Sequence, residues 1–341
     1  MEANKILSIV KCGDLFPCDE DKIKTKYKEL VKEWHPDTNS NPEASNVFAK
    51  INELYNRALK LLKNGQWEKT NYILISKTDG KKIALNYDTY FNFELGTCYV
   101  TRTKLIYLLD NDKEKYYNNA IHRINNLQYK DKKMEEDLSR FFPKIYQTFK
   151  TINGEYGIVL EKTEDVYPLK NVFEYFNGKI DDRHVAWIIS RLCNLTCYLK
   201  YSGLVHNCIN LNNCFVSPKY HSILLLGGWW YSTKEDENMI GTTKDIFSIM
   251  SVSAKSSKKS QVLTDLESVK LLGRQLLGET NCRKLSLDSS IPKPFINFLI
   301  GGSGDNSYEE FTKWDKALSD SYGKRKFINM EIKNLYERKG D

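Results

Sequence analysis

Residues 27–39 read YKELVKEWHPDTN, and this stretch decides the fold of the first part of the chain. The apolar residues around it recur at helical spacing and would share one face: Ile23, Tyr27, Leu30, Val31 and Trp34. Pro36 has no amide proton and disfavours helical geometry at His35, so this helix should end near Trp34. The tripeptide His35-Pro36-Asp37 is therefore predicted to form a stiff polar corner that presents the Asp37 carboxylate outward.

A second helical pattern follows this corner. Asn41 fits the N-cap position and Pro42 the first turn, while Asn64-Gly65 should end the helix. Its apolar residues form one stripe: Val47, Phe48, Ile51, Leu54, Tyr55, Ala58, Leu59 and Leu62. Because the two apolar faces can be buried only against each other, residues 1–65 are predicted to form an all-α antiparallel hairpin.

Residues 1–65 resemble a J-domain, the module of DnaJ-type co-chaperones. The likeness rests on the YKELVKEWHPDTN stretch and on FAKINELYNRAL at residues 48–59. It implies docking on a DnaK-type chaperone and stimulation of that partner's ATP hydrolysis. The resemblance assigns the switch element to three residues: His35, Pro36 and Asp37. Candidates for a basic docking edge lie four residues apart on the preceding helix: Lys24, Lys28 and Lys32.

The rest of the chain has a different pattern. Residues 66–70 are interpreted as a short polar join, and short β-rich runs follow: residues 72–75, 82–85, 97–100, 104–109, 145–149 and 157–161. One polar helical stretch is expected at residues 113–141, and helices dominate after Val166. This order predicts a β-rich lobe at residues 66–170 and a mainly helical lobe at residues 171–341.

Residues 203–216, GLVHNCINLNNCFV, are similar to a protein-kinase catalytic loop, H-R-D-L-x-x-x-N followed by a strand. His206 and Asn213 match the pattern, whereas Asn207 replaces the arginine and Cys208 replaces the catalytic aspartate. Asp265, on a later helix, is expected to support this loop structurally. The resemblance implies an α+β bilobal protein-kinase-like domain after the J-domain.

Several parts of a phosphoryl-transfer site are missing from this kinase-like sequence. Residues 226–229 read LGGW where D-F-G would lie, residues 76–100 contain no G-x-G-x-x-G, and Leu105–Leu109 occupies the place of the third-strand lysine. Phosphoryl transfer depends on positioning and on metal and cation charges at the phosphates. We therefore expect a pseudokinase without catalytic residues, cofactor or metal, which binds a client protein through residues 66–341.

Composition adds weaker constraints. The 51 basic and 44 acidic side chains are interspersed, so the net charge of +7 does not by itself indicate nucleic-acid binding. The eight cysteines show no C-x-x-C pair and no zinc-ligand spacing, which favours reduced thiols. No run approaches the roughly 18 apolar residues of a membrane span, and the N-terminus does not read as a signal peptide. These features favour a cytoplasmic protein without a membrane partner.

Two alternatives stay open at this point. The chain could be an atypical kinase or nucleotide transferase that uses Asp265 or Cys208, or an interaction protein that occupies a chaperone without stimulating it. Residues 251–261, in the place of an activation segment, are expected to form a mobile surface loop. The Trp229-Trp230-Tyr231 run is expected either in the core or on a binding surface.

Overall fold

The computed structural model describes residues 2–324, 328–333 and 335–336. Within them, a helical N-terminal region is followed by two antiparallel sheets and then by a mainly helical lobe. The predicted fold class, an all-α region before a two-lobed α+β domain, is therefore confirmed. No helix among these residues has both the length and the apolar character needed to cross a bilayer.

The N-terminal region is built on two long helices that run antiparallel. Its helices are α1 (Ala3–Leu7), a short 3-10 helix (Cys12–Asp14), α2 (Glu20–Trp34) and α3 (Ala44–Lys63). The Asp19 carboxylate caps α2 by accepting a hydrogen bond from the Lys22 amide at 3.0 Å. Tyr27 stacks on Tyr55 with ring centroids 3.9 Å apart, which brings the middle of α2 against the second half of α3. The predicted hairpin is confirmed.

The start of α3 differs from the prediction. The helix begins at Ala44, and Glu43 occupies the cap position without a side-chain bond. The Asn41 side-chain oxygen accepts a hydrogen bond from the Glu43 backbone amide at 2.9 Å. The Asn41 backbone amide donates to the Asn39 side-chain oxygen, also at 2.9 Å. The assignment of Asn41 as N-cap was wrong because these bonds form consecutive turns ahead of the helix.

A three-stranded antiparallel sheet follows directly: β1 (Trp67–Lys69), β2 (Tyr72–Ser76) and β3 (Lys82–Asn86). Residues 66–70 are a short join, as expected, but the interpretation of this join as polar was wrong for Trp67, which is buried in the core of the N-terminal helices. Asp14 accepts hydrogen bonds from the Thr70 amide, at 2.8 Å, and from the Thr70 hydroxyl. The Arg57 guanidinium donates to Glu68 at 2.9 Å. These contacts fix the helices on the sheet.

The second sheet has the strand order β4-β5-β6-β8-β7 and is antiparallel throughout. Its strands are β4 (Thr89–Phe93), β5 (Gly96–Val100), β6 (Lys104–Leu109), β7 (Ile145–Lys150) and β8 (Tyr156–Glu161). The sequence analysis did not predict β4. The helical stretch predicted at residues 113–141 is divided into α4 (Glu114–Asn125), α5 (Lys132–Leu138) and a 3-10 turn (Ser139–Phe141). Asp131 caps α5 and so begins a new helix.

The remaining lobe is mainly helical. Its helices are α6 (Leu169–Tyr175), α7 (Asp182–Tyr201), α8 (Lys244–Ile249), α9 (Val252–Ser257), α10 (Val262–Leu276), α11 (Cys282–Ser286), α12 (Lys293–Ile300) and α13 (Ser307–Tyr322). Short strands connect them: β9 (Tyr167–Pro168), β10 (Leu204–Val205), β11 (Cys214–Ser217), β12 (Ser222–Leu225) and β13 (Thr233–Lys234). One continuous apolar core joins this lobe to the five-stranded sheet, and Trp229, Trp230 and Tyr231 are buried in it.

The tight contact between the N-terminal helices and β1 gives a stability prediction. A Cβ at Gly13 would overlap the Glu68 carbonyl oxygen and would lie 2.9 Å from Trp67 Nε1. We expect Gly13→Ala to lower the free energy of unfolding by about 1–3 kcal/mol, because an atom is forced into a filled space. Urea denaturation followed by circular dichroism measures this loss.

The matched control is Gly302→Ala, since a Cβ at Gly302 meets nothing within 4 Å. This control should keep the wild-type stability. Equal stability of the two variants would contradict the close approach of the helices and β1.

Candidate functional site

The corner between α2 and α3 is exposed and held in one shape. The His35 carbonyl accepts hydrogen bonds from the amides of Thr38, at 3.0 Å, and Asn39, at 2.9 Å. The Asp37 side chain is 84% exposed, and its carboxylate lies 3.7 Å from His35 Nδ1. A carboxylate on a closed turn is available to a partner without first having to be ordered.

Contacts with both helices fix this corner. The His35 ring packs edge-on against Phe48 of α3, with ring centroids 5.5 Å apart. The Asn39 side-chain amide donates to the Glu33 carbonyl of α2 at 2.8 Å. The turn therefore cannot change shape without losing contacts to α2 and α3.

The three predicted docking lysines are exposed on α2. Lys24 pairs with Glu20 at 2.6 Å, and this bond raises the pKa of the Lys24 ammonium. Neither Lys28 nor Lys32 forms an ion pair with the residues that the structure describes. Lys28 and Lys32 therefore supply the less neutralised positive charge beside the Asp37 corner.

The second candidate region is the loop at residues 206–213, which is anchored from below by Asp265 on α10. The buried Asp265 carboxylate accepts hydrogen bonds from the backbone amides of His206, at 2.6 Å, and Asn207, at 2.9 Å. Burial raises the pKa of this carboxyl to about 7, against the opposing effect of the two amides. The structural role predicted for Asp265 is confirmed.

His206 is fully buried and bonds the backbone rather than a reacting group. Its Nε2 lies 3.0 Å from the Gly227 carbonyl oxygen, and its ring packs against Trp229. Burial lowers the pKa of the imidazole to about 4. The imidazole is therefore neutral at physiological pH.

Asn207 connects the loop to distant segments, a role that the sequence analysis missed. It adopts a left-handed conformation with a φ of 61°. Its side-chain amide donates to the Tyr231 carbonyl at 3.0 Å, to the Thr233 hydroxyl at 3.0 Å and to the Ser260 hydroxyl at 2.9 Å. Asparagine is among the few residues that tolerate this conformation, which was the available signal in the sequence.

The contact with Ser260 corrects a further expectation. Ser260 is fully buried, and Val252–Ser257 forms α9, with Ser251 as its N-cap. The Ser251 hydroxyl accepts a hydrogen bond from the Ala254 amide at 2.9 Å. The segment lies at the surface as expected, with most of residues 252–259 exposed, but the expectation of a loop was wrong because Val252–Ser257 is helical and Ser260 is buried.

Cys208, in the place of the kinase aspartate, is closed off from solvent. The Asn213 side-chain amide lies 3.0 Å from the Cys208 sulfur and also donates to the Cys208 carbonyl at 3.2 Å. Burial raises the pKa of the thiol well above its usual value. A neutral, buried thiol cannot act as a base for an incoming hydroxyl group.

There is little room for a side chain at Gly227 beside this loop. A Cβ at Gly227 would lie 2.6 Å from Asn213 Oδ1 and 2.8 Å from the Tyr107 hydroxyl oxygen, so a carboxylate would not fit without displacement. Three aromatic rings pack together on the sheet side, with Trp230 lying 4.8 Å from Phe93 and 5.1 Å from Tyr107 between centroids. No group of three or more potential metal ligands occurs among the described residues.

Comparison with known protein families identifies the first region. Residues 5–60 match the family model described as the DnaJ domain. The N-terminal region is a J-domain. The matched segment contains the His35-Pro36-Asp37 corner and the three lysines of α2.

The chain is also similar to a solved structure described as "Structure of vaccinia related kinase 3". The sequences are 13% identical, the match covers 72% of this chain and 90% of that chain, and the TM-score is 0.47. No curated protein matches the chain.

Burial of His206 gives a pH prediction. Its folded pKa of about 4 lies below its usual value of 6.5, so the unfolded state binds the extra proton first. The stability from neutral His206 is present above pH 6.5 and is lost as the pH falls toward 4. Between about pH 7 and about pH 5, we expect the free energy of unfolding of the wild type to fall by about 2 kcal/mol. The His206→Gln variant should not show this loss.

Urea denaturation at both pH values measures this difference, with the exposed His122→Gln as the matched control. Asp265 affects the pH dependence of the free energy of unfolding with the opposite sign. Its pKa is raised in the folded state, so the stability that its protonated form gives is lost as the pH rises toward 7. That contribution is common to all three proteins, so comparing them isolates His206. Identical pH dependence in wild type and His206→Gln would show that the imidazole is not buried in its neutral form.

Proposed function

We propose that this protein is a co-chaperone whose J-domain docks on a DnaK-type chaperone and stimulates its ATP hydrolysis. In this proposal, residues 66–341 form a catalytically inactive kinase-like domain that binds a client or partner protein. The observation that carries the proposal is the Asp37 carboxylate, 84% exposed on a corner fixed by α2 and α3. The eight cysteines are free thiols, which supports a cytoplasmic location.

The geometry of the corner explains how it would act. The exposed carboxylate can accept a charge-assisted hydrogen bond from a cation of the chaperone, and such bonds are stronger than neutral ones. Because the turn is already closed, little conformational entropy is lost when this bond forms. Lys28 and Lys32 extend the contact along α2 and would speed the encounter with an acidic surface.

The inactivity of the kinase-like domain is inferred from the chemistry of its loop. The base is replaced by the buried thiol of Cys208, and residues 226–229, where D-F-G would lie, contain no carboxylate and have no room for a side chain at Gly227. The ring of Tyr107 on β6 packs with Phe93 and Trp230 beside the loop. With base, metal ligand and phosphate contacts all missing, the electrostatic stabilisation of phosphoryl transfer is lost.

The joint between the two parts supports their acting as one unit. Trp67 packs into the J-domain core, and Asp14 holds Thr70 of the turn after β1. Lys11 bonds the Tyr87 hydroxyl and lies 5.2 Å from the ring centroid of Tyr90 on β4. A client bound to the kinase-like domain would thus be held at a defined position relative to the chaperone.

The central prediction concerns Asp37. We expect Asp37→Asn to weaken productive docking by about tenfold or more, because it removes the charge from a charge-assisted bond while keeping the shape of the side chain. Steady-state ATP hydrolysis by a DnaK-type chaperone, titrated with wild type and variant, measures this effect. The wild type should raise the rate in a saturable manner.

Asp21→Asn is the matched control, since it removes an exposed carboxylate from the same helix but away from the corner. This control should stimulate like the wild type. If the wild type competes with another J-protein for the chaperone but does not raise the rate, the protein is a non-productive binder and the proposal fails.

A second prediction concerns nucleotide. We expect magnesium and ATP to leave the melting temperature unchanged, because a ligand that does not bind the folded state cannot stabilise it. Differential scanning fluorimetry with and without the nucleotide tests this, and radiolabelled ATP transfer to a protein substrate is the companion measurement. A rise in melting temperature together with phosphate transfer would favour the atypical-transferase alternative.

A further inference from the structure

A groove of about 500 Å³ lies on the helical lobe beside α8 and α9. Apolar side chains form part of its lining: Met239, Phe247, Met250 and Ala254. Lysines complete the lining: Lys244, Lys255 and Lys258. Among the residues that the structure describes, no acidic one lines the groove.

The walls of this groove are fixed by bonds to neighbouring segments. The Met239 amide donates to the Lys258 carbonyl at 2.8 Å, which joins the two edges. The Ser260 amide donates to the Glu237 carbonyl at 3.0 Å just beyond them. On the inner side, the Thr242 hydroxyl donates to the Asn207 carbonyl at 2.6 Å. The groove is therefore formed before any ligand arrives, which lowers the entropic cost of binding.

Two carboxylates beside the groove are already engaged elsewhere. Asp245 accepts hydrogen bonds from the Thr243 hydroxyl and from the Asn210 side-chain amide. Glu237 pairs with Arg123 at 2.7 Å. Neither Lys244 nor Lys258 forms an ion pair with any residue that the structure describes, so the positive charge of the rim is not neutralised from within the protein.

Exposed apolar side chains lie at the same place. Phe247 is 54% exposed and Val252 is 84% exposed, and the Lys255 ammonium lies 5.3 Å from the centroid of the Phe247 ring. Met250 is almost fully buried, so a group has to insert into the groove to contact it, and Ala254 is fully buried. A concave apolar floor under a cationic rim fits an inserted side chain better than the flat surface of a bilayer.

We propose that this groove binds an acidic peptide segment that carries an apolar anchor residue. The anchor contacts Phe247 and Met250, and flanking carboxylates of the peptide pair with Lys244 and Lys255. This inference deepens the proposed function by giving the chemistry of the client or partner. It rests on the part of that proposal that assigns binding to residues 66–341, and it does not depend on the chaperone.

The test uses the full chain and three fluorescein-labelled peptides in anisotropy titrations. The first is glutamate-rich with a central Leu-Phe pair, the second has serines in place of that pair, and the third has lysines in place of the glutamates. We expect the first to bind at least about tenfold more tightly than the others, because both the anchor and the charges contribute. Its affinity should fall with added salt, since charges on the rim are exposed to solvent.

Two variants locate the site. Lys244→Glu with Lys255→Glu should weaken binding of the first peptide by about tenfold or more, since two attractions become repulsions. Lys132→Glu with Lys133→Glu changes the net charge equally at exposed positions of α5 and should keep wild-type affinity. Phe247→Ser should also weaken binding, whereas Tyr220→Ser, a change at another exposed ring, should not.

Equal losses in the two charge variants, or equal binding of the first two peptides, would overturn the inference in favour of non-specific attraction. Absence of binding would also overturn it, as would tight sedimentation with phosphatidylserine vesicles that requires Lys244 and Lys255 while the peptide stays free. Peptide binding should be unchanged in Asp37→Asn. If the protein binds the peptide but does not stimulate the chaperone, the groove inference stands and the proposed J-domain function is disproved. If it stimulates the chaperone but does not bind the peptide, the groove inference is disproved and the J-domain function stands.

Discussion

The helical lobe depends on the buried Asp265 carboxylate. Burying a carboxylate is costly, and here two backbone amides, those of His206 and Asn207, offset part of that cost. In return, the carboxylate fixes the backbone of the loop at residues 206–213, and neighbouring segments form hydrogen bonds with this loop. The Asn207 amide then reaches Tyr231 and Ser260, so a single carboxylate organises three segments of the lobe.

The hydrogen bonds that hold the loop at residues 206–213 do not require a catalytic carboxylate within the loop. The bonds that hold the loop run through backbone groups and through the Asn207 amide, and none of them needs a charged side chain at Cys208. The buried Cys208 thiol has a raised pKa and stays neutral, whereas a buried charge without a partner would destabilise the fold. The loop can therefore keep its shape with a neutral side chain at Cys208, and its outer side can support the walls of the groove through Thr242.

The structural features that could be predicted from the sequence are those set by residues close to one another along the chain. The hairpin of α2 and α3 follows from the spacing of apolar residues and from Pro36, and the strands β7 and β8 follow from their β-rich runs. The burial of Trp67 and Ser260 could not be predicted this way, because each is buried by segments that are distant in sequence. The groove was missed for the same reason: its lysines look like an ordinary solvated surface until α8 and α9 place them around an apolar floor.

The rigid joint between the J-domain and the sheet has a consequence for how the two surfaces work together. A flexible linker would let the Asp37 corner sample many positions, and the effective concentration of a bound client at the chaperone would fall as the linker lengthened. Here Trp67 and the Asp14–Thr70 bonds leave no such linker, so the separation of corner and groove is set by the fold. If the protein acts as the proposed co-chaperone, a client would reach the chaperone from a fixed direction. Geometry, in addition to affinity, would therefore select which acidic segments are delivered.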